Sequence, residues 1–350
     1  MSTRPRIYLD YNATAPLVPA ARDAMVEAMA DVGNPSSVHA EGRRARDRIE
    51  RARRQLAELV GRPREQIVFT SGGTEANWLG VRTLAAEAER RGLPRVIATT
   101  KLEHPSLRGA IAQLGWQIVD IADEVEVGVV AAALVNHEIG TILELPPRPH
   151  ALVHVDAVQA LGKMPLDMRA DSIALSAHKV GGPQGIGALV TGVEMAGLEG
   201  GHQERGRRPG TENTLGIIGF GAAASVIDLA TWKLVATRGE RLEAGLRAIA
   251  GVRVHANGRR IGGTINVGVE GALGESIVIA LDLAGIAVST GAACTSGSIQ
   301  PSPVLLGLGM TPAEAREAVR FSLGRGTSDD EIDEVIRILP VIVERARRHR

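Results

Sequence analysis

The sequence predicts an α/β fold around a mainly parallel sheet, and three observations predict it. Seven apolar runs of strand length alternate with segments of helical periodicity up to residue 190. Helical segments stop at glycines and strand runs stop at polar or charged residues, so the elements carry their own termini. Hydrophobic residues fill 44% of 350 positions, enough for one large core or two ordinary ones.

Taken in order, helical periodicity covers Pro19 to Ala30 and Glu41 to Val60, the second ended by Gly61. Strand Gln66 to Thr70 leads to helix Glu75 to Arg91, ended by Gly92. Strand Arg95 to Thr99, helix Pro105 to Leu114 and strand Trp116 to Ile121 follow. The remaining strands of the first sheet are Val129 to Val135, Leu152 to Asp156, Ser172 to Ser176 and Ile186 to Val190. A long helical region then runs from Glu212 to about Ala250. After it come strands Val252 to His255 and Thr264 to Val269, helix Glu275 to Ala284 and strand Ile286 to Ser289. Strand Ala318 to Leu323 and an amphipathic helix from Ser328 close the chain. The domain boundary is placed near Lys233. It gives a large domain over residues 1–233, whose N-terminus packs on a small α+β domain over residues 234–350.

One connection breaks the alternation. Between Val135 and Leu152 stand Pro146, Pro147 and Pro149, which rule out a crossover helix. The flanking strands are rich in valine, alanine and leucine, as doubly covered strands are. One face of them is therefore expected to lack cover. A bare patch there would exceed the few hundred Å² that soluble surfaces usually expose, so a partner or a rearranged loop should lie over it.

Composition excludes several function classes. Net formal charge is zero, which argues against direct nucleic-acid or anionic-membrane binding. The arginine-rich stretch Arg43 to Arg54, interleaved with Asp47 and Glu50, reads as a solvated helix face. No apolar run reaches spanning length and the N-terminus starts polar, so the cytosol is the default location. A single cysteine, Cys294, excludes an internal disulfide and a multi-cysteine zinc site.

Only four lysines stand among 40 Lys+Arg: Lys101, Lys163, Lys179 and Lys233. Such a bias directs attention to chemistry that an amine can do and a guanidinium cannot. Lys179 follows the apolar run from Asp171 through Ser176 and His178, and precedes the glycine-rich turn Gly181 to Gly187. A lysine at the end of a buried strand, beside a glycine-rich turn, suits a phosphate-bearing aldehyde cofactor, pyridoxal phosphate. A surface lysine is the bland alternative. Thr70-Ser-Gly-Gly-Thr-Glu-Ala-Asn77 follows a strand and opens a helix, where backbone N–H groups and the Thr74 hydroxyl make an anion site or an ordinary capped start. Asp156 ends a buried strand and needs a positive partner, such as a protonated pyridine nitrogen, or serves as a helix cap. His104, ahead of Pro105, can stack on a planar ring or act structurally. Arg320 inside an apolar strand needs an anion, either a substrate carboxylate or an ion-pair partner. Cys294 sits among small residues, as a presented thiol would, with a buried structural thiol as the alternative.

Together these residues resemble the cysteine desulfurases, class V members of the fold-type I pyridoxal-phosphate enzymes. The resemblance runs from Tyr8-Leu-Asp-Tyr-Asn-Ala-Thr-Ala-Pro16 through Ser71 to Glu75, Glu103-His104, His154 to Gln159 and Ser176 to Lys179. It continues through Gln203 to Asn213, the Cys294 loop and Arg320 to Arg325. It implies a fold-type I transferase with a mostly parallel seven-stranded sheet and a smaller α+β C-terminal domain. It also implies removal of sulfur from L-cysteine, leaving L-alanine and an enzyme persulfide. By that resemblance Lys179 carries the cofactor and moves protons, and Asp156 pairs with the pyridine nitrogen. Gln159 bonds the ring oxygen and His104 stacks on the ring. Gly73, Thr74, Ser176 and His178 hold the phosphate, with Thr211 reaching in from the other subunit of a homodimer. Asn34 and Arg320 bind the substrate carboxylate. Cys294 is the nucleophile, and no intrinsic metal is implied beyond a transient iron–sulfur role for that thiol. The form of the Cys294 loop resembles the branch that hands sulfur to an acceptor protein, an iron–sulfur scaffold or a thiolation relay.

Two departures accompany the resemblance. The family usually has Asn-Asn-Glu where this chain has Asn136-His137-Glu138, so His137 replaces a residue near the cofactor ring. The chain is also short between His104 and Asp156. Rival readings are a selenocysteine lyase or another class V enzyme, and a catalytically diverged sulfur-relay or scaffold dimer.

Overall fold

The computed structural model describes residues 6–195, 200–256, 258–291 and 300–348. Its elements begin with β1 (Ile7–Tyr8), α1 (Pro19–Ala28), α2 (Ala40–Val60), β2 (Ile67–Thr70), α3 (Gly73–Arg90), β3 (Val96–Thr99), α4 (Pro105–Ala112) and β4 (Gln117–Asp120). Next come β5 (Val129–Ala133), β6 (Leu152–Asp156), β7 (Ser172–Ser176), β8 (Gly187–Thr191), α5 (Thr214–Ser225) and α6 (Leu229–Arg247). The last are β9 (Val252–His255), β10 (Thr264–Val269), α7 (Gly274–Leu283), β11 (Ile286–Ala287), α8 (Pro303–Gly307), α9 (Pro312–Arg316), β12 (Ala318–Ser322) and α10 (Asp329–Arg348). The chain divides into two compact units. The larger is Ala15–Leu134 with Glu144–Asp228; the smaller is Met1–Thr14 with Val135–Leu143 and Leu229–Arg350.

The larger unit holds a seven-stranded sheet in the order β2-β8-β7-β6-β5-β3-β4. The pairs from β7 to β4 are parallel, and β8 runs antiparallel to both of its neighbours. Val81, Leu84 and Ala88 of α3 and Leu107, Ala110 and Ile111 of α4 pack on Ile97, Val129, Ala131 and Leu152. Their spacing of three and four residues puts one apolar stripe of each helix on the sheet. Each fully buried leucine or isoleucine there contributes about 1.5–3 kcal/mol. The result is a rigid platform from whose strand ends polar groups project.

The structure corrects three expectations. First, no face of β5 or β6 is bare. Val130, Ala132, Val153 and Val155, which alternate with the residues packed on the helices, are also buried. The proline run does lack a helix, but it is fastened in place. Arg148 donates to the carbonyls of Ile121, Asp123 and Val125, and Arg169 donates to those of Arg148 and Ala151. Second, the region from Glu212 to Ala250 is two helices. Val226 leaves helical geometry (φ −107°, ψ 10°), and Ile227 packs against Gly162. Adjacent β-branched residues are stiff in a helix, which favours a break there. Third, the arginine-rich face of α2 is not wholly solvated: Arg53 is buried, because its guanidinium pairs with Glu204.

In the smaller unit β12, β10 and β9 form an antiparallel sheet and β1 pairs in parallel with β11. Helix α10 buries Ile332, Val335, Leu339, Ile342 and Val343 along one side. Its first turn is acidic and its last turn basic, matching the helix dipole at both ends.

Candidate active site

Four strand ends of the larger unit carry the polar groups. The β2–α3 turn comes first. A Cβ on Gly73 would lie 2.7 Å from Val158 Cγ2 and 3.5 Å from Ser176 Cβ, so the start of α3 is pressed onto the ends of β6 and β7. Nothing lies within 4 Å of the position a Cβ would take on Gly72. The turn leaves space beside Gly72 at the start of α3, with Thr74 in the first turn of the helix. Gly187 of β8 approaches Gly72 so closely that a Cβ would meet its carbonyl carbon at 2.6 Å. Only glycine permits that backbone contact.

Asp156 ends β6 and is buried. Its Oδ2 accepts from Asn77 Nδ2 at 2.6 Å and its Oδ1 accepts from the Val158 N–H at 3.0 Å. Burial raises its pKa, while the Asn77 and Val158 donors, His104 and Lys179 pull it back. A positive charge brought to this carboxylate would relieve its desolvation. His104 caps α4, its Nδ1 accepting from the Ser106 N–H at 3.1 Å and lying 2.7 Å from Ser106 Oγ. Crowding around the ring lowers its pKa; Asp156 opposes the shift, and Lys179 and Arg108 add to it. Lys179, on the short turn after β7, thus shares one electrostatic environment with Asp156 and His104. Beside it His178 is pushed down to about 4 by burial and by the lysine charge, so its imidazole is neutral at physiological pH. The turn itself is tied down: the His178 carbonyl accepts from Ala15 N–H at 2.8 Å and that of Ala177 from Gly182 N–H at 2.9 Å.

Ser176 is buried at the end of β7. Gln159 is buried too, and its Oε1 accepts from Lys163 Nζ at 2.8 Å. Thr211 lines a cavity of about 200 Å³, together with Ser71, Glu204, Arg208 and Glu212. Asn34 is exposed, and its side chain accepts from the Ser36 N–H at 2.9 Å.

Arg320 and His137 belong to the smaller unit. Arg320 is buried in β12, where Nη2 donates to Asp10 Oδ1 at 2.7 Å and Nη1 to the His137 carbonyl at 3.0 Å. Its buried Nε has no hydrogen-bond partner among the described residues. The His137 ring lies 3.6 Å from Glu138 Oε1. Cys294 lies outside the described residues.

Sequence reasoning missed four groups beside the predicted ones: Asn77, Glu103, Ser106 and His154. Signals for two existed, since His154 and Asp156 are two apart on a strand and so face one way. Asn77 lies one helical turn beyond Gly73, a spacing that turns it back towards the strand ends.

The model for "Aminotransferase class-V" matches residues 7–335. A cysteine desulfurase of Trichormus azollae is 40% identical over 379 aligned residues, covering 97% of this chain and 94% of its own. One of Cereibacter sphaeroides is 39% identical, covering 98% and 97%. Among solved structures, a NifS-like protein superposes with a TM-score of 0.86 at 28% identity, over 97% of this chain and 99% of that one.

Proposed function

The chain belongs to the class-V aminotransferase family and within it to the cysteine desulfurases, and from this we propose that it desulfurates L-cysteine with pyridoxal 5′-phosphate held in its larger unit. The observation that carries the reading is the buried Asp156 carboxylate, within electrostatic reach of Lys179 and His104 at neighbouring strand ends. The donor set fits the cofactor at both ends. A buried carboxylate suits a pyridinium, and a helix N-terminus with Gly72 open to space suits a phosphate.

When bound, pyridoxal phosphate supplies an electron sink for charge left on the substrate Cα. Asp156 would hold the ring nitrogen protonated, which deepens that sink. Gly73, Thr74, Ser176 and His178 would hold the phosphate, and Gln159 would donate from Nε2 to the ring oxygen. His104 would cover one face of the ring. Lys179 would carry the cofactor covalently, give way to the substrate amine, and then move the Cα proton. Its place beside a neutral His178, rather than a second cation, keeps that amine free of further repulsion. Arg320 and Asn34 would orient the substrate carboxylate, and His137 would stand where relatives carry asparagine.

Sulfur transfer then falls to Cys294. Its thiolate attacks the cysteine sulfur, the carbon–sulfur bond breaks, and the carbon takes up a proton to become alanine. The persulfide so formed is passed to an acceptor protein. We place the enzyme as a homodimer, with Thr211 serving the phosphate site of a second copy; its position on an open cavity beside Ser71 supports this. The test is Cys294→Ala. Wild type given L-cysteine should yield alanine and a persulfide, and the variant should keep its colour but form no persulfide. Wild type that makes no alanine overturns the activity; persulfide on the variant overturns the role of Cys294.

A further inference from the structure

A branched hydrogen-bond chain inside the larger unit reaches both Asp156 and His104, and its polarity can be worked out from one end. Asp156 accepts at both oxygens, from Val158 N–H and from Asn77 at 2.6 Å. At that distance the amide must present its NH2 group, since a carbonyl oxygen facing a carboxylate would be repelled. Asn77 Oδ1 is therefore the atom that faces His154 Nε2 at 3.0 Å, and the imidazole must donate to it. His154 has no solvent exposure, and burial lowers its pKa to about 3, so it is neutral with its proton on Nε2. Its bare Nδ1 accepts the Ser172 hydroxyl at 2.7 Å. Every bond from Ser172 through His154 and Asn77 points its proton towards Asp156.

The second amide proton of Asn77 goes to Ser106 Oγ at 3.0 Å. With its oxygen so occupied, Ser106 directs its own hydroxyl proton to His104 Nδ1 at 2.7 Å. His104 Nδ1 thus accepts from both the hydroxyl and the backbone N–H of Ser106, and the neutral ring carries its proton on Nε2.

We propose that Asn77 is a positioning residue of this enzyme. One side-chain amide orients the Asp156 carboxylate and, through Ser106, the His104 ring, while its oxygen fixes the proton of buried His154 on Nε2. A hydrophobic residue of similar size would fill the same space but orient neither group. The proposal rests on the assignment of Asp156 to the cofactor ring, and two variants separate the parts. Asn77→Asp keeps an acceptor for His154 but sets a second carboxyl 2.6 Å from Asp156, so the two must share one proton and Asp156 no longer meets a neutral amide donor as a full carboxylate. Asn77→Leu loses both acceptor and donor, which frees the Ser172 hydroxyl to accept and lets the His154 proton move to Nδ1.

The experiment is nitrogen NMR on holoenzyme carrying labelled histidine, with His154→Gln used for assignment, alongside cofactor dissociation followed by visible absorption. Wild type should show His154 protonated at Nε2 alone, Asn77→Asp should keep that pattern, and Asn77→Leu should shift it towards Nδ1. Asn77→Asp should hold pyridoxal phosphate at least about tenfold more weakly than wild type. A His154 proton on Nδ1 in wild type overturns the polarity, and unchanged cofactor affinity in Asn77→Asp overturns the positioning role. Should Asn77→Leu fail to fold, wild type and Asn77→Asp still decide both points. Wild type that binds no cofactor overturns the Asp156 assignment instead, and the His154 pattern then still reports the polarity.

Discussion

Arg53 on α2 and Glu204, 151 residues apart, form a buried bidentate pair with N–O distances of 2.7 and 2.8 Å. The pair closes the open edge of the larger sheet. Among the described residues β2 has only β8 as a strand neighbour, and its outward groups meet side chains instead of a strand. Phe69 N–H donates to Glu204 Oε2 at 2.9 Å, and Arg53 Nη1 donates to the Ile67 carbonyl at 3.0 Å. An edge so occupied cannot recruit another strand. Glu204 accepts a left-handed backbone (φ 47°) to reach this position, in the segment that also leads to Thr211.

Removing Glu204 should therefore cost more than removing a surface acid. Glu204→Ala leaves buried Arg53 with Glu50 as its remaining carboxylate partner among the described residues, so a loss near the lower end of about 3–5 kcal/mol is expected. Replacing both by apolar residues of similar volume, Arg53→Met with Glu204→Leu, should cost less than the single change. Urea titration of the three proteins checks this; a single change no worse than the double would show that the pair is not buried in solution.

Gly187→Ala should disturb the start of α3. Its Cβ would lie 2.6 Å from the Gly72 carbonyl carbon and the Leu175 carbonyl oxygen, both backbone atoms that cannot turn aside. A cost of about 1–3 kcal/mol is expected, with weaker retention of the cofactor phosphate. Gly109→Ala, on an exposed turn of α4 with no atom within 4 Å of the new Cβ, is the control for retention. Equal phosphate retention in both variants would contradict the contact.

Glu103 should give the protein a distinct pH dependence. Burial raises its pKa to about 7; the Asp156 charge adds to this, and the Thr100 hydroxyl and Ala133 N–H oppose it. Unfolded, the group titrates near its ordinary 4.5. Between these values the folded chain binds more protons than the unfolded one, so this contribution to stability falls as pH rises. Glu103→Gln removes it. The stability of the variant relative to wild type should improve by roughly 3 kcal/mol from about pH 4.5 to about pH 8. Denaturant titrations across that range test it, and a constant difference would refute the shift.

Borohydride reduction of the holoenzyme followed by peptide mapping should place a pyridoxyl group on Lys179. Lys179→Ala should carry none while still binding the cofactor reversibly. An adduct on Lys163 would reassign the attachment, and the Lys163 contact with Gln159 Oε1 would then be the place to look for it.

Sequence alone determined the α/β class, most strand positions and the strand-end identities of Asp156, Ser176, His178 and Lys179. Those features are local: they follow from side-chain periodicity and from the polar residues that terminate apolar runs. The family followed from motifs in order along nearly the whole chain. Tertiary structure alone decided which groups surround those residues. Asp156 meets the Asn77 amide of α3, Arg53 meets the Glu204 carboxylate 151 residues away, and Arg148 of the proline run meets the Val125 carbonyl. Period and composition say whether a residue is buried, whereas the donor that meets a buried charge is set by the folding together of distant segments. For that reason Arg53 read as solvated, Arg320 had two readings, and Asn77 went unnoticed until its amide was seen against Asp156.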